Sequence, residues 1–118
     1  MTTTPAIELK QSDKFFILRL AYLKLIHDIV EQRGGLTQQD FASKIWNNHV
    51  GSYQIWKNVR HVIGTNKTKR VLGMDEAMKM ADFLGEVYEF LIVKARTRLV
   101  SGMYPELMSA EVASTVFP

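Results

Sequence analysis

The chain has 118 residues, no cysteine and a formal net charge of +3. That length supports one hydrophobic core, and 47% apolar with 23% charged residues reads as a single globular domain rather than a disordered segment. Without cysteine there are no disulfide frameworks, thiolate zinc sites or cysteine nucleophiles, and the usage leans towards a cytoplasmic protein.

Residues 1–11 open with a short polar arm, Thr2 to Pro5, expected to be flexible. They show no basic region followed by an apolar run, so no secretion signal is expected. Ser12 or Asp13 can cap a long helix running to about Arg33. Phe16, Leu20, Leu23, Ile26 and Val30 recur along it at helical spacing, and Leu18, Tyr22, Leu25 and Ile29 form a second stripe beside them. The apolar face is therefore wider than one core contact requires. Gly34-Gly35 ends this helix.

Thr37 is placed to cap a short second helix, Gln38 to Ile45, with Phe41, Ala42 and Ile45 inward. Asp40 stands where a capping box has Glu or Gln. Trp46 to Gly51 reads as a turn, and Ser52 as the cap of a third helix reaching about Ile63. Its faces separate: Ile55, Val59 and Val62 on one side, with Tyr53, Lys57 and Arg60 on the other. A basic connection, Gly64 to Gly73, leads to a fourth helix on which Met74, Ala77, Met78, Ala81 and Leu84 point inward. A fifth runs from Glu86 to about Val100 and is apolar over a wide arc: Val87, Tyr88, Leu91, Ile92, Ala95 and Leu99. Pro105 can start one more short helix in the tail, 101–118. No alternating strand pattern is expected anywhere. Lys and Arg interrupt the longest apolar runs, at Arg19, Lys24, Lys94 and Arg96, so no membrane span is expected. The expected fold is all-α, a compact bundle of five helices with room for a sixth, its helix-turn-helix domain at 12–100.

The charge is unevenly placed. Between Asp40 and Asp75 there is no acidic residue, while Lys44, Lys57, Arg60, Lys67, Lys69 and Arg70 all fall there. The rest of the chain, with 9 of the 15 basic residues and all 12 acidic ones, has no positive excess. A surface of one sign attracts polyanions. Trp, Tyr, His, Asn and Gln are interleaved with these cations, and such side chains reach phosphates and base edges.

Two short helices joined by a turn, the second with a basic polar face, have the layout of a helix-turn-helix, in which one helix enters the major groove and the other braces it. The segments LTQQDFASKI, SYQIWKNVRHV and MDEAMKMADFLG resemble helices two, three and four of the phage-repressor (lambda-repressor-like, Xre/Cro) DNA-binding family. The resemblance rests on Leu36, Thr37 and Gln38, on Ala42, and on Ala77, Ala81, Leu84 and Gly85, and spans roughly residues 15–90. The turn from Trp46 to Gly51 is several residues longer than the family's, and it offers Asn47, Asn48 and His49 as contacts of its own.

The resemblance implies double-stranded DNA binding by a small repressor-like transcription regulator. Gln38 would meet a phosphate, and Tyr53, Gln54 and Lys57 would face base edges, Gln54 suiting adenine and Lys57 guanine. Lys44, Arg60, Lys67, Lys69 and Arg70 would meet phosphates. The amphipathic pattern alone says only that these side chains are exposed, and solvated surface is the other reading of Lys57 and Gln54. Trp46 and Trp56 are expected in the core. Two-fold operators require two recognition helices, so a homodimer is expected, and the wide apolar faces of the first and fifth helices are candidates for its contact. RNA is a less favoured partner for the same basic window. The alternative from another class is a helical homodimeric interaction module, antitoxin-like or a scaffold, that reads no bases.

An enzyme is not expected. His27, His49 and His61 lie far apart in sequence, without the spacing of a metal site. No phosphate loop, nucleophile elbow or zinc-protease motif is present, and no cofactor is implied. Asp75-Glu76 belong to the first turn of the fourth helix, where the dipole favours acids.

Overall fold

The computed structural model describes residues 3–47 and 49–118, with side chains from residue 14 onward. It is mostly helical: α1 (Thr3–Gln32), α2 (Gln38–Ile45), α3 (Ser52–Arg60), α4 (Met74–Phe83), α5 (Tyr88–Val100) and α6 (Ala110–Val116). Between α3 and α4 lies a small antiparallel hairpin, β1 (Val62–Gly64) paired with β2 (Lys67–Thr68). No described helix is long and apolar enough to cross a membrane.

The long helix α1 is the platform. Both of its expected stripes meet the core: Leu20, Leu23, Ile26 and Val30 from the first, Tyr22 and Leu25 from the second are buried. Helix α5 lies along it through Leu91, Ala95 and Leu99, and α6 packs on both. A polar clamp fastens the same pair, in which Arg98 and the Tyr104 hydroxyl both donate to Asp28 Oδ2, at 3.2 and 3.0 Å. On the other flank α2, α3 and α4 close around Phe41, Trp56 and Met80, all without solvent exposure. Tyr22 joins the two halves, its hydroxyl donating to the Ala77 carbonyl at 2.5 Å and its ring meeting Tyr88 edge-on.

Several expectations are corrected. Helix α1 begins at Thr3, not at Ser12 or Asp13, so the flexible arm expected over 1–11 is helical from its third residue. Proline is tolerated in a first turn, where its missing N–H has no helical acceptor to lose, and good helix formers follow it. Helix α3 stops at Arg60, and Val62 and Ile63 are exposed strand residues rather than its last turn. The turn that returns the chain places Asn66 at a φ of 58°, a left-handed conformation that asparagine adopts more readily than most residues. The expected connection is thus a hairpin. In α4, Met74 and Met78 are exposed and Met80 takes the core position. Pro105 opens a turn rather than a helix, and Ser109 caps α6 by accepting from the Val112 amide.

Candidate nucleic-acid interface

Helix α2 forms as its sequence suggests. Thr37 is extended and its hydroxyl accepts from the Asp40 amide at 3.0 Å, while Phe41, Ala42 and Ile45 are buried. The chain then turns through Asn47 at a φ of 55°, with the His49 amide bonded to the Trp46 carbonyl and the Ser52 amide to that of His49. Asn48 lies outside the described residues. Ser52 is not the cap of α3 but its first residue; its buried hydroxyl donates to the His49 carbonyl at 2.6 Å. Gly51 holds the cap position and offers no side chain of its own to the opening amides of α3. Amides at a helix N-terminus suit an anion.

From that start α3 divides cleanly. Trp56 and Val59 are buried, and Trp56 stands edge-on to Phe41 with centroids 5.2 Å apart. Tyr53, Gln54 and Lys57 are exposed together on the opposite face. Lys57 lies over the Tyr53 ring at 4.8 Å, and Gln54 donates to Asn58 one turn on at 2.9 Å. These contacts are local and surface-exposed, so another partner can replace them at small cost. Lys44, Lys67 and Lys69 are exposed as well. The three residues expected at base edges thus share one surface with no acidic residue on α3 or the hairpin.

Three of the residues expected on phosphates are engaged otherwise. Gln38 is committed to its own fold: its amide nitrogen donates to the His27 carbonyl and to Glu31, and its oxygen accepts from the Trp56 indole at 2.9 Å. It joins α1, α2 and α3 and has little left for DNA. Gln38→Ala is therefore expected to cost about 1–2 kcal/mol of stability, read by urea unfolding, with nucleic-acid affinity unchanged once the protein is folded.

Arg70 pairs with Glu76 at 3.0 Å and lies over the Trp46 ring at 5.8 Å. Its contact is inside the molecule. Glu76 is the centre of that cluster, since it also accepts from the Gly73 amide at 2.9 Å and the Trp46 indole at 2.8 Å. Burial opposes its charge, but these donors win and hold its carboxyl below the ordinary range. The cluster stitches the turn after α2, the strand end after β2 and the start of α4 into one joint. Arg60 is half-covered, stacked on Trp56 at 4.4 Å with its Nε donating to the Trp56 carbonyl at 3.2 Å. Its charge reaches His27 on α1 and Tyr53 on the exposed face of α3 alike.

Local spacing could not announce Gln38 and Arg70 as internal ties, because their partners come from other elements. The hairpin had a faint signal in the β-branched Val62, Ile63 and Thr68 flanking Asn66. No family model, curated protein or solved structure matches this chain.

Proposed function

We propose that the chain is a small regulator that binds double-stranded DNA, with α3 in the major groove and α2 bracing it, in the manner of phage-repressor domains. The observation that carries this reading is the exposed face Tyr53, Gln54 and Lys57 on a rigidly backed helix, inside a window without acids. Gln54 and Lys57 read base edges; Lys44, Lys67 and Lys69 meet phosphates, the last two from the hairpin beside α3. Gln38 ties the reading helix to α1 and Arg70 is held by Glu76, so neither belongs to the contact surface, while Arg60 stands at its edge near Tyr53. A homodimer would present two such helices to a two-fold site.

The test is binding to random-sequence duplex DNA across a salt series. Expected are micromolar affinity at low salt and a log–log slope of about −3 to −4, from roughly four lysines each displacing a counterion. Lys57→Ala should weaken binding about tenfold, and Lys67→Ala/Lys69→Ala should flatten the slope by about 1 to 2. Duplex RNA, whose narrow major groove excludes a helix, should bind more weakly. No binding at low salt by the folded protein would remove this reading. The function would then pass to the second one, an interaction module using the apolar side chains that α5 exposes, Phe90 at 72% and Val93 at 59%.

A further inference from the structure

Beside the C-terminal end of α3, a cavity of about 280 Å³ opens between α1, the α3–β1 junction and the turn that follows Tyr104. Leu20, Val62 and Leu107 form its apolar walls, and Lys24, His27, Arg60 and Glu106 its polar ones. Its size is near the lower end for small-molecule sites, and a few convergent polar groups on apolar walls are what such sites show.

The polar groups are not equivalent. Lys24 is already paired with Glu106 and lies over the Tyr104 ring at 5.4 Å. Arg60 has no such partner. Arg33, Arg70 and Arg98 each face a carboxylate, from Glu86, Glu76 and Asp28, whereas no described carboxylate pairs with Arg60, nor with Arg19 or Arg96, which lie outside the cavity. Its Nε is used on the Trp56 carbonyl and its plane rests on the indole, which fixes the guanidinium, and neither terminal nitrogen has an acceptor among the described residues. Burial disfavours its charge, and burial together with that charge keeps His27 towards the neutral form. A guanidinium held flat on an indole with its terminal nitrogens uncommitted is preset for an anion, and its planar fork matches a carboxylate. Val62, at 46% exposure, is an apolar side chain that a ligand would cover.

We propose that this cavity binds a small organic carboxylate, its carboxyl group on the terminal nitrogens of Arg60 and its apolar body against Leu20, Val62 and Leu107. His27 lies beside the anion as a hydrogen-bonding group. Glu106, across the cavity, repels the ligand and sets its affinity. The ligand would neutralise a cation at the end of α3 and fix the α3–β1 junction. Its occupancy therefore alters DNA affinity, a last step that rests on the function proposed above; the binding itself does not.

Benzoate is the probe, titrated into the intact ¹⁵N-labelled protein and followed by amide shifts. Saturable shifts around Leu20, Arg60, Val62 and Leu107 are expected in the millimolar range. Arg60→Gln should weaken them about tenfold, the loss of one charge-assisted contact. Val62→Asp, a change at an exposed position that spares the Trp56 stack, should do the same by repulsion. Glu106→Gln should tighten binding about threefold. Benzamide, of the same shape but uncharged, and inorganic phosphate, charged but without the apolar body, should each bind at least about tenfold more weakly. Absence of saturable shifts there, equal binding of benzamide or of phosphate, or indifference to both Arg60→Gln and Val62→Asp would overturn the site. Benzoate bound with DNA affinity unmoved would overturn the coupling alone, and failure of DNA binding altogether would leave the titration standing.

Discussion

Replacing Trp56 by alanine is expected to remove about 4 kcal/mol of stability, the largest single loss in the molecule. The indole is 0% exposed and stands against Phe41 at 5.2 Å and Trp46 at 6.3 Å. Truncation leaves a cavity that α2, α3 and α4 cannot collapse into, because α1 holds the other side of the core. It also strands the Gln38 oxygen and removes the shelf on which Arg60 rests. Set against a total of about 5–15 kcal/mol for a domain, this brings the variant close to unfolding at 25 °C. With a urea dependence of about 2 kcal/mol/M, the midpoint should fall by about 2 M. A fall of less than about 0.5 M would show that the packing of α2 on α3 does not depend on this residue. Trp46 remains as the fluorophore, and far-UV circular dichroism gives a second probe of the same transition.

The second large effect is at Glu76. Glu76→Ala leaves Arg70, the Trp46 indole and the Gly73 amide without their common acceptor. The Arg70 side chain is 38% exposed, so solvent replaces part of what is lost and the expected cost is about 2–3 kcal/mol rather than that of a fully buried pair. The same residue sets a pH dependence. Its folded pKa lies below the ordinary 4.5, so the unfolded chain takes up the proton first on acidification. The stabilisation is complete above that ordinary value and is lost as pH falls through the lower folded one. Unfolding midpoints should therefore drop between about pH 5 and pH 3 in the native protein and change less there in Glu76→Gln. Superimposable profiles for the two would refute the role given to this carboxylate.

Helix positions are largely legible in this sequence because apolar spacing is a local property. Thr37, Phe41, Ala42 and Ile45 place α2, and the two stripes from Phe16 to Val30 mark α1 as a helix with core on two sides. Legibility fails where two periods fit the same residues. Val62 and Ile63 continue the spacing of Val59 as well as they begin a strand, and only the left-handed Asn66 decides between the two. Met74, Met78 and Met80 all fit a helix, and which of them turns inward depends on where α4 meets α2. The exposed face of α3 can be read in advance from Tyr53, Gln54 and Lys57. The internal engagement of Gln38 and Arg70 cannot, since Trp56 and Glu76 become their neighbours only through the turns between. The cavity beside Arg60 is likewise invisible, being assembled from three stretches of chain.

The clamp that joins Asp28 to Arg98 and Tyr104 spans 70 and 76 positions of sequence. The two ends of the α1–α5 pair are thus synthesised far apart in time. While α2, α3 and the hairpin close over neighbouring residues, the broad apolar side of α1 waits for α5 to emerge. The nascent chain therefore carries an uncovered greasy helix until α5 has been made, and this stretch, rather than the basic surface, is where its folding is open to aggregation or to capture by a chaperone.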